Sequence, residues 1–431
     1  MPTGERVLDL LPRLARALAG EGPALLPVPA ADPATADRTA RALAADIPLA
    51  DGEDDPDDPT AFVVTTSGST GTPKGALLSV SALLASARAT RRFLPGERTP
   101  AHWLLALPAH HVAGLQVLLR SLHEGTVPTV LDTALPFTAA RFAHAVQVMP
   151  SSAPRFVSLV PTQLQRILAD EAGVESLART DAVLLGGAPA PPALLAAAAE
   201  AGARVVTTYG MSETCGGCVY DGRPLDGVTV TTDDSGRISL AGPMVASGYR
   251  GRPGDPAFTL DATGRHRFRT DDVGECVDGR WRVVGRMDDV LISGGVKVTP
   301  ATVESTLASI PGVDDVVLTG VADAEWGEAI VAVLVPSCGG APDLAMVRSA
   351  VRDRHGAAAA PRSLILVDRL PLRGPGKPDR AAVRELALRT LAPPTSADAG
   401  APGQVDHGAL PVVLGVSSVR RGQPVMINTE E

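Results

Sequence analysis

The sequence predicts an α/β protein. A large N-terminal domain of mainly parallel sheets and helices closes in a small β-rich part, and a small α+β C-terminal domain follows on a hinge. Three observations predict this. The chain has 431 residues, more than one compact core usually holds. Short apolar runs alternate with helical patterns through its first half, as in strand–helix–strand units on a parallel sheet. From Val228 the runs shorten into strands and turns, and a smaller unit begins after Gly285.

The elements follow in order. Met1 to Gly20 carries Glu5, Arg6, Asp9, Arg13 and Arg16 among its leucines. It reads as an amphipathic helix and lacks the unbroken apolar core of a signal peptide. Residues 22–60 are rich in Ala, Pro and Asp, and the acidic run Asp51 to Asp58 reads as a solvated loop. Residues 61–65 form a buried strand, a Gly-rich loop follows, and a helix runs from about Ser79 to Arg92. Further strands are expected at 103–107, 156–160, 182–185 and 204–207, with helices at 161–169 and 192–201. Short strands at 236–240 and 278–284 make up the β-rich part. Thr299-Pro300 starts a helix with an apolar face of Val303, Leu307 and Ile310, since proline suits the first helical position. Strands at 316–318, 329–335 and 364–367 complete the small unit. The expected domains are 1–285, 286–392 and a flexible tail, 393–431, whose Pro-, Ala- and Gly-rich start does not build a core.

Hydrophobic residues at 45% and charged residues at 20% suit a globular chain. A net charge of −9, with arginines scattered singly and in pairs, argues against nucleic acid as a main partner. No apolar run reaches the length of a membrane helix, so a cytoplasmic location is expected. Cys215 and Cys218 have redox or zinc spacing but no second pair or nearby histidine, and read as reduced thiols. Of 39 basic residues three are lysines, Lys74, Lys297 and Lys377, which leaves 36 arginines. All three lysines sit among glycines. A compact ammonium on a flexible stem is retained where a planar guanidinium does not fit.

Thr66-Ser67-Gly68-Ser69-Thr70-Gly71-Thr72-Pro73-Lys74-Gly75 lies between a strand and a helix. Its glycines let backbone N–H groups converge on an anion, its hydroxyls add donors, and Lys74 supplies charge for a polyphosphate. It is not a Walker loop, because Pro73 stands where that motif has glycine.

This loop resembles the phosphate loop of the acyl-adenylate-forming superfamily of acyl-CoA synthetases, peptide-synthetase adenylation domains and luciferases. The resemblance continues in order to about residue 380. It implies an adenine-side loop at Gly187, Ala188 and Pro189, Tyr209 stacked on adenine, Ser212 at the α-phosphate and Glu213 on Mg²⁺. Asp272 would grip the ribose hydroxyls, although Asp271 precedes it where the family usually has glycine. Arg286 would also reach the ribose, Asp288 would be the hinge pivot, and Lys377 would be the adenylating lysine. Ser293-Gly294-Gly295 resembles the segment along the pantetheine tunnel, with Lys297 near CoA. Chemistry agrees: a carboxylate attacking an α-phosphate joins two anions, so the site must neutralise charge in the transition state.

Leu107 to Leu115, Val157 to Gln163 and Tyr209 to Gly222 resemble in particular the o-succinylbenzoate–CoA ligase branch, an activity of menaquinone biosynthesis. That resemblance implies an acyl pocket of His111, Ser158, Thr162, Cys215, Gly216 and Gly217, with His110 competing for the role of His111. The expected function is ATP- and Mg²⁺-dependent adenylation of o-succinylbenzoate followed by transfer to CoA. A ligase for another carboxylic acid and a non-catalytic nucleotide-binding protein are the alternatives. Enzymes of this resemblance are often homodimers.

Overall fold

The structure, a computed structural model, describes residues 1–66, 73–337, 340–372 and 378–391, with the backbone of Val413–Val416. Two compact units divide the chain, Met1–Arg282 and Val283–Glu431. The division falls a few residues before the expected one at 285.

The larger unit is built on a seven-stranded sheet. Its strands are β3 (His102–Leu105), β4 (Thr129–Val130), β5 (Arg155–Leu159), β6 (Ala182–Leu185), β7 (Val205–Met211), β8 (Gly216–Tyr220) and β9 (Arg223–Pro224), in spatial order 4-3-5-6-7-8-9. Pairing is parallel from β4 to β7 and antiparallel from β7 to β9. Successive side chains of the parallel strands enter two different cores. Trp103, Leu105, Phe156, Leu184 and Val206 join one, whereas Leu104, Val157, Val183 and Leu185 join the other. A sheet covered on both faces reads as continuous apolar runs rather than alternation, which is why these strands were visible in the sequence. Helix Val112–His123, with Leu115, Leu118 and Leu119 buried, lies in the first core.

A separate sheet pairs β1 (Thr60–Thr66) antiparallel with β2 (Lys74–Ser79), and Gly248–Tyr249 adds to β2. Its hairpin carries the Gly-rich loop, and Thr66 faces Lys74 across the ladder. The β-rich part is antiparallel: Thr229–Thr232, Arg237–Ala241, His266–Val277 and Phe258–Leu260.

The acidic run is solvated at Asp51, Asp54, Asp55 and Asp57, which are exposed, and departs from that reading at Glu53. Glu53 is buried and ion-paired to Arg250, whose guanidinium also donates to the carbonyls of Leu43, Ala44, Ile47 and Pro48. Asp54 accepts from Thr60 N at 2.7 Å, and Asp58 from Ser81 N at 2.8 Å. These carboxylates tie the N-terminal segment to the sheet, and a charge count cannot separate such partners from solvated ones.

In the smaller unit, Val313–Asp323 and Gly327–Pro336 form a long antiparallel hairpin, and Ser363–Val367 lies parallel to the second strand. Helices Pro300–Leu307 and Leu344–His355 bury Val303, Leu307, Val347 and Val351 in one core, and Arg380–Leu391 buries Val383 and Ala387 in another. Within 393–431, expected as a tail, the backbone of Val413–Val416 is a strand parallel to Ser363–Val367.

Candidate active site

In open parallel sheets, ligands gather beyond the carboxyl ends of the strands. Four segments singled out in the sequence leave that edge. His110 and His111 follow β3, Ser158 and Thr162 stand at the end of β5, Gly186 to Pro189 follow β6, and Tyr209 to Glu213 close β7. The ladder aligns Ser158 with Leu184, and Leu159 with Leu185 and then Thr207. β7 therefore runs four residues past the last parallel rung, carrying Tyr209 beyond the parallel strands into the antiparallel pairing with β8.

There the chain reverses. Ser212–Thr214 form a 3₁₀ turn and Cys215 takes the left-handed conformation at φ 52°. Thr214 Oγ1 accepts from Met211 N at 3.0 Å and donates to Gly216 O at 2.7 Å. The Cys215 carbonyl accepts from Gln116 Nε2 at 2.7 Å and Ser86 Oγ at 3.2 Å. A Cβ on Gly210 would lie 2.0 Å from Gly216 O, so glycine is required where β7 and β8 close. Cys215 and Cys218 are buried, free thiols. Burial pushes both upward, Cys218 to about 12, so both stay protonated.

The turn presents three polar side chains. Ser212 Oγ donates to Thr65 O at 3.2 Å, joining the turn to the strand that precedes the Gly-rich loop. Glu213, 6% exposed, accepts from the Tyr249 hydroxyl at 2.5 Å. The Tyr209 hydroxyl donates to Asp272 Oδ2 at 2.8 Å. Burial first, then the Asp272 charge, pushes the Tyr209 phenol far upward, so it remains a donor. Asp271, in the strand His266–Val277, accepts from Arg237 Nη2 at 2.5 Å. The aspartate in place of the usual glycine is therefore held in an extended strand.

Near β3, the rings of His110 and His111 lie 4.3 Å apart. Burial, followed by the neighbouring His111, lowers His110 to about 4, so it is neutral near pH 7. His111 is the N-cap of helix Val112–His123. Ser158 is buried and Thr162 half-buried. Gln163 Nε2 donates to Ala106 O at 3.0 Å while its Oε1 accepts from Val160 N. This bond fixes the helix start after β5 to the end of β3.

In the smaller unit, Arg286 grips Asp288 through Nε at 2.9 Å and Nη2 at 3.1 Å. Gly294 and Gly295, with φ of 56° and 76°, join Leu291–Ser293 to Val296–Val298, a two-residue turn needing positive φ twice. A Cβ on Gly294 would meet the Trp326 ring at 2.8 Å, and Lys297 is exposed. Ser67, Gly68, Ser69, Thr70, Gly71 and Lys377 lie outside the described residues.

No group of three or more His, Cys, Asp or Glu able to hold a metal occurs among the described residues. Mg²⁺ is ordinarily bound through one or two carboxylates plus substrate phosphates. One buried glutamate beside a phosphate loop fits that pattern. Sequence reasoning missed Tyr249, Gln116 and Ser86. Tyrosine scarcity carried the signal for the first: the chain has three, and each hydroxyl has a specific partner. Tyr209 meets Asp272, Tyr249 meets Glu213, and Tyr220 meets Thr90 at 3.0 Å.

Comparison with known proteins identifies the family. The family model for AMP-binding enzymes matches residues 21–250, and that for the AMP-binding enzyme C-terminal domain matches 302–377. A protein of Mycobacterium tuberculosis named probable 2-succinylbenzoate–CoA ligase is 43% identical over 387 residues, covering 89% of this chain and 96% of its own. The 2-succinylbenzoate–CoA ligase of Geobacillus kaustophilus is 33% identical over 77% of this chain and 70% of its own. The o-succinylbenzoate CoA synthetase of Bacillus subtilis, solved with its acyl-adenylate intermediate, superposes with a TM-score of 0.64 at 28% identity, covering 76% of this chain and 69% of its own. No helix among the described residues is long and apolar enough to cross a membrane. The chain belongs to the AMP-binding enzyme family and is a ligase of the AMP-forming acyl-CoA synthetase type.

Proposed function

We propose that the protein is an o-succinylbenzoate–CoA ligase. ATP and the acid give the acyl-adenylate and pyrophosphate, and CoA then gives the thioester and AMP. The observation that carries the reading is the 43% identity to the probable 2-succinylbenzoate–CoA ligase across 89% of the chain. The turn that closes β7 supports it by holding Tyr209, Ser212 and Glu213 at the carboxyl edge of the sheet.

Each residue has a task in this reading. Tyr209 offers its ring to adenine while its hydroxyl orients Asp272 toward the ribose. Ser212 and Lys74 meet the phosphates as the acid's carboxylate approaches. Glu213 would hold Mg²⁺, which when bound supplies charge neutralisation at the phosphates. The acyl group would lie along the loop after β3, the end of β5 and the Cys215–Gly217 wall. There His110, neutral at pH 7, adds no cation to the pocket. Gly294, Gly295 and Lys297 are assigned to CoA, Arg286 to the ribose, and Asp288 to the hinge. Lys377 is assigned to the α-phosphate, where an ammonium offsets the charge developing between two anions.

The test is a mass-spectrometric assay with ATP, Mg²⁺, CoA and o-succinylbenzoate, run beside ferulate, benzoate and a fatty acid. A feruloyl-CoA synthase of an Amycolatopsis species is 33% identical over 81% of this chain, which makes ferulate the informative competitor. Thioester formed chiefly from o-succinylbenzoate supports the proposal, and thioester formed chiefly from another acid refutes the substrate. Lys377→Ala should abolish adenylation while ATP still binds; unchanged adenylation removes the role given to that lysine.

A further inference from the structure

We propose that Tyr249 is a positioning residue of the adenylation site, its hydroxyl fixing the Glu213 carboxylate and its ring seating the Lys74 ammonium. The inference rests on the reading of Glu213 as the metal-side carboxylate.

Three contacts converge on this residue, two through its side chain and one through its backbone. Its hydroxyl donates to Glu213 Oε1 at 2.5 Å, a short bond of the kind made to an ionised acceptor. The Lys74 ammonium lies 4.8 Å from the centre of its ring, within range of a cation–π interaction. Its backbone pairs with Ala76 in β2, the strand leaving the phosphate loop. A single phenol thus touches both a cation beside the loop and the acid on the turn after β7, 36 residues earlier in the chain.

The mount is rigid. Tyr249 is 4% exposed, and Phe258 meets its ring edge-on at 4.9 Å. The next residue, Arg250, is locked by Glu53 and four backbone carbonyls, and Glu53 also accepts from Gly251 N. A buried aromatic that served packing alone would need no hydroxyl here, and phenylalanine would fill the same space. The hydroxyl instead takes one lone-pair direction of a carboxylate and sets its plane, the office of groups that support a metal ligand from behind. Glu53 thus holds the chain directly after Gly248–Tyr249, through Arg250 and Gly251.

Tyr249→Phe keeps the ring and its packing and removes the hydroxyl. Two readouts apply: the Mg²⁺ concentration for half-maximal adenylation, and Mn²⁺ binding with a non-hydrolysable ATP analogue followed by electron paramagnetic resonance. Losing a support of this kind typically costs about 10–100-fold in metal affinity. Both midpoints should therefore rise by about tenfold or more, with the KM of the acid unchanged. Wild-type midpoints in Tyr249→Phe overturn the inference. Glu213→Gln separates the two readings. If it too keeps wild-type metal dependence, the assignment of Glu213 falls. If it loses that dependence while Tyr249→Phe keeps it, the role of Tyr249 alone falls. Should the phenylalanine variant not fold, 3-fluorotyrosine at position 249 changes the donor strength at nearly constant size. A shifted Mn²⁺ midpoint then supports the role, and an unchanged one overturns it.

Discussion

Tyr209→Phe tests the pairing on which nucleotide recognition depends in this reading. The substitution keeps the aromatic face and removes a hydroxyl that donates to Asp272 Oδ2 at 2.8 Å. Asp272 is 8% exposed, so water does not readily replace the lost donor. A hydrogen bond to a charged group contributes about 1.5–3 kcal/mol. In a unit of this size each kcal/mol moves the melting temperature by roughly 2–4 °C. The variant should melt roughly 3–12 °C lower by calorimetry. AMP should bind about tenfold more weakly by titration calorimetry, because a swing of 1.4 kcal/mol in orienting Asp272 is one decade in affinity. Wild-type melting together with wild-type AMP affinity refutes the argument. Tighter AMP binding refutes it differently, since phenol and ribose would then compete for one carboxylate oxygen.

Two further predictions concern pH. His110 titrates at about 4 in the fold against 6.5 when free, so between those values the unfolded chain binds more protons and stability falls as pH falls. His110→Asn should flatten the decline in melting temperature from pH 6.5 to 4, and an unaltered profile would count against the burial of that imidazole. Asp315 has the opposite sign. Burial raises it to about 6 from 3.8, with Glu304 and Asp314 adding to the effect. Stability therefore falls as pH rises through that window and remains low above it. Asp315→Asn keeps an oxygen for Val316 N, which donates to Oδ1 at 2.9 Å. It should stabilise the smaller unit by about 1–2 kcal/mol at pH 7 and by nothing near pH 3; equal melting at pH 7 would overturn the prediction.

Much of the fold was legible because its signals are local. Strands buried on both faces, such as Ala182–Leu185, appear as unbroken apolar runs, and Pro161 and Pro192 marked helix starts that the structure keeps. Lengths were less legible where tertiary pairing extends an element. β7 was expected to end at 207 and runs to Met211, because β8 supplies hydrogen-bond partners for residues whose sequence, with Tyr209-Gly210, reads as a loop. The strand Val313–Asp323 likewise exceeds the apolar core at 316–318, since Gly327–Pro336 pairs along its whole length.

For the site, the residue types the chemistry needs, and their order along the chain, are legible without a structure. A Gly- and hydroxyl-rich loop ending in lysine is readable because backbone geometry and charge there depend on neighbours a few residues away. Which side chain meets which was decided only by tertiary structure. Glu53 and Arg250, Gln116 and the Cys215 carbonyl, and Tyr249 and Glu213 are separated by 197, 99 and 36 residues. Such partners leave no spacing to read, because a folded sheet sets their distance and the chain between them does not. An acidic run and a lone tyrosine look alike whether solvated or buried, and only packing tells a solvated carboxylate from one that fastens the site.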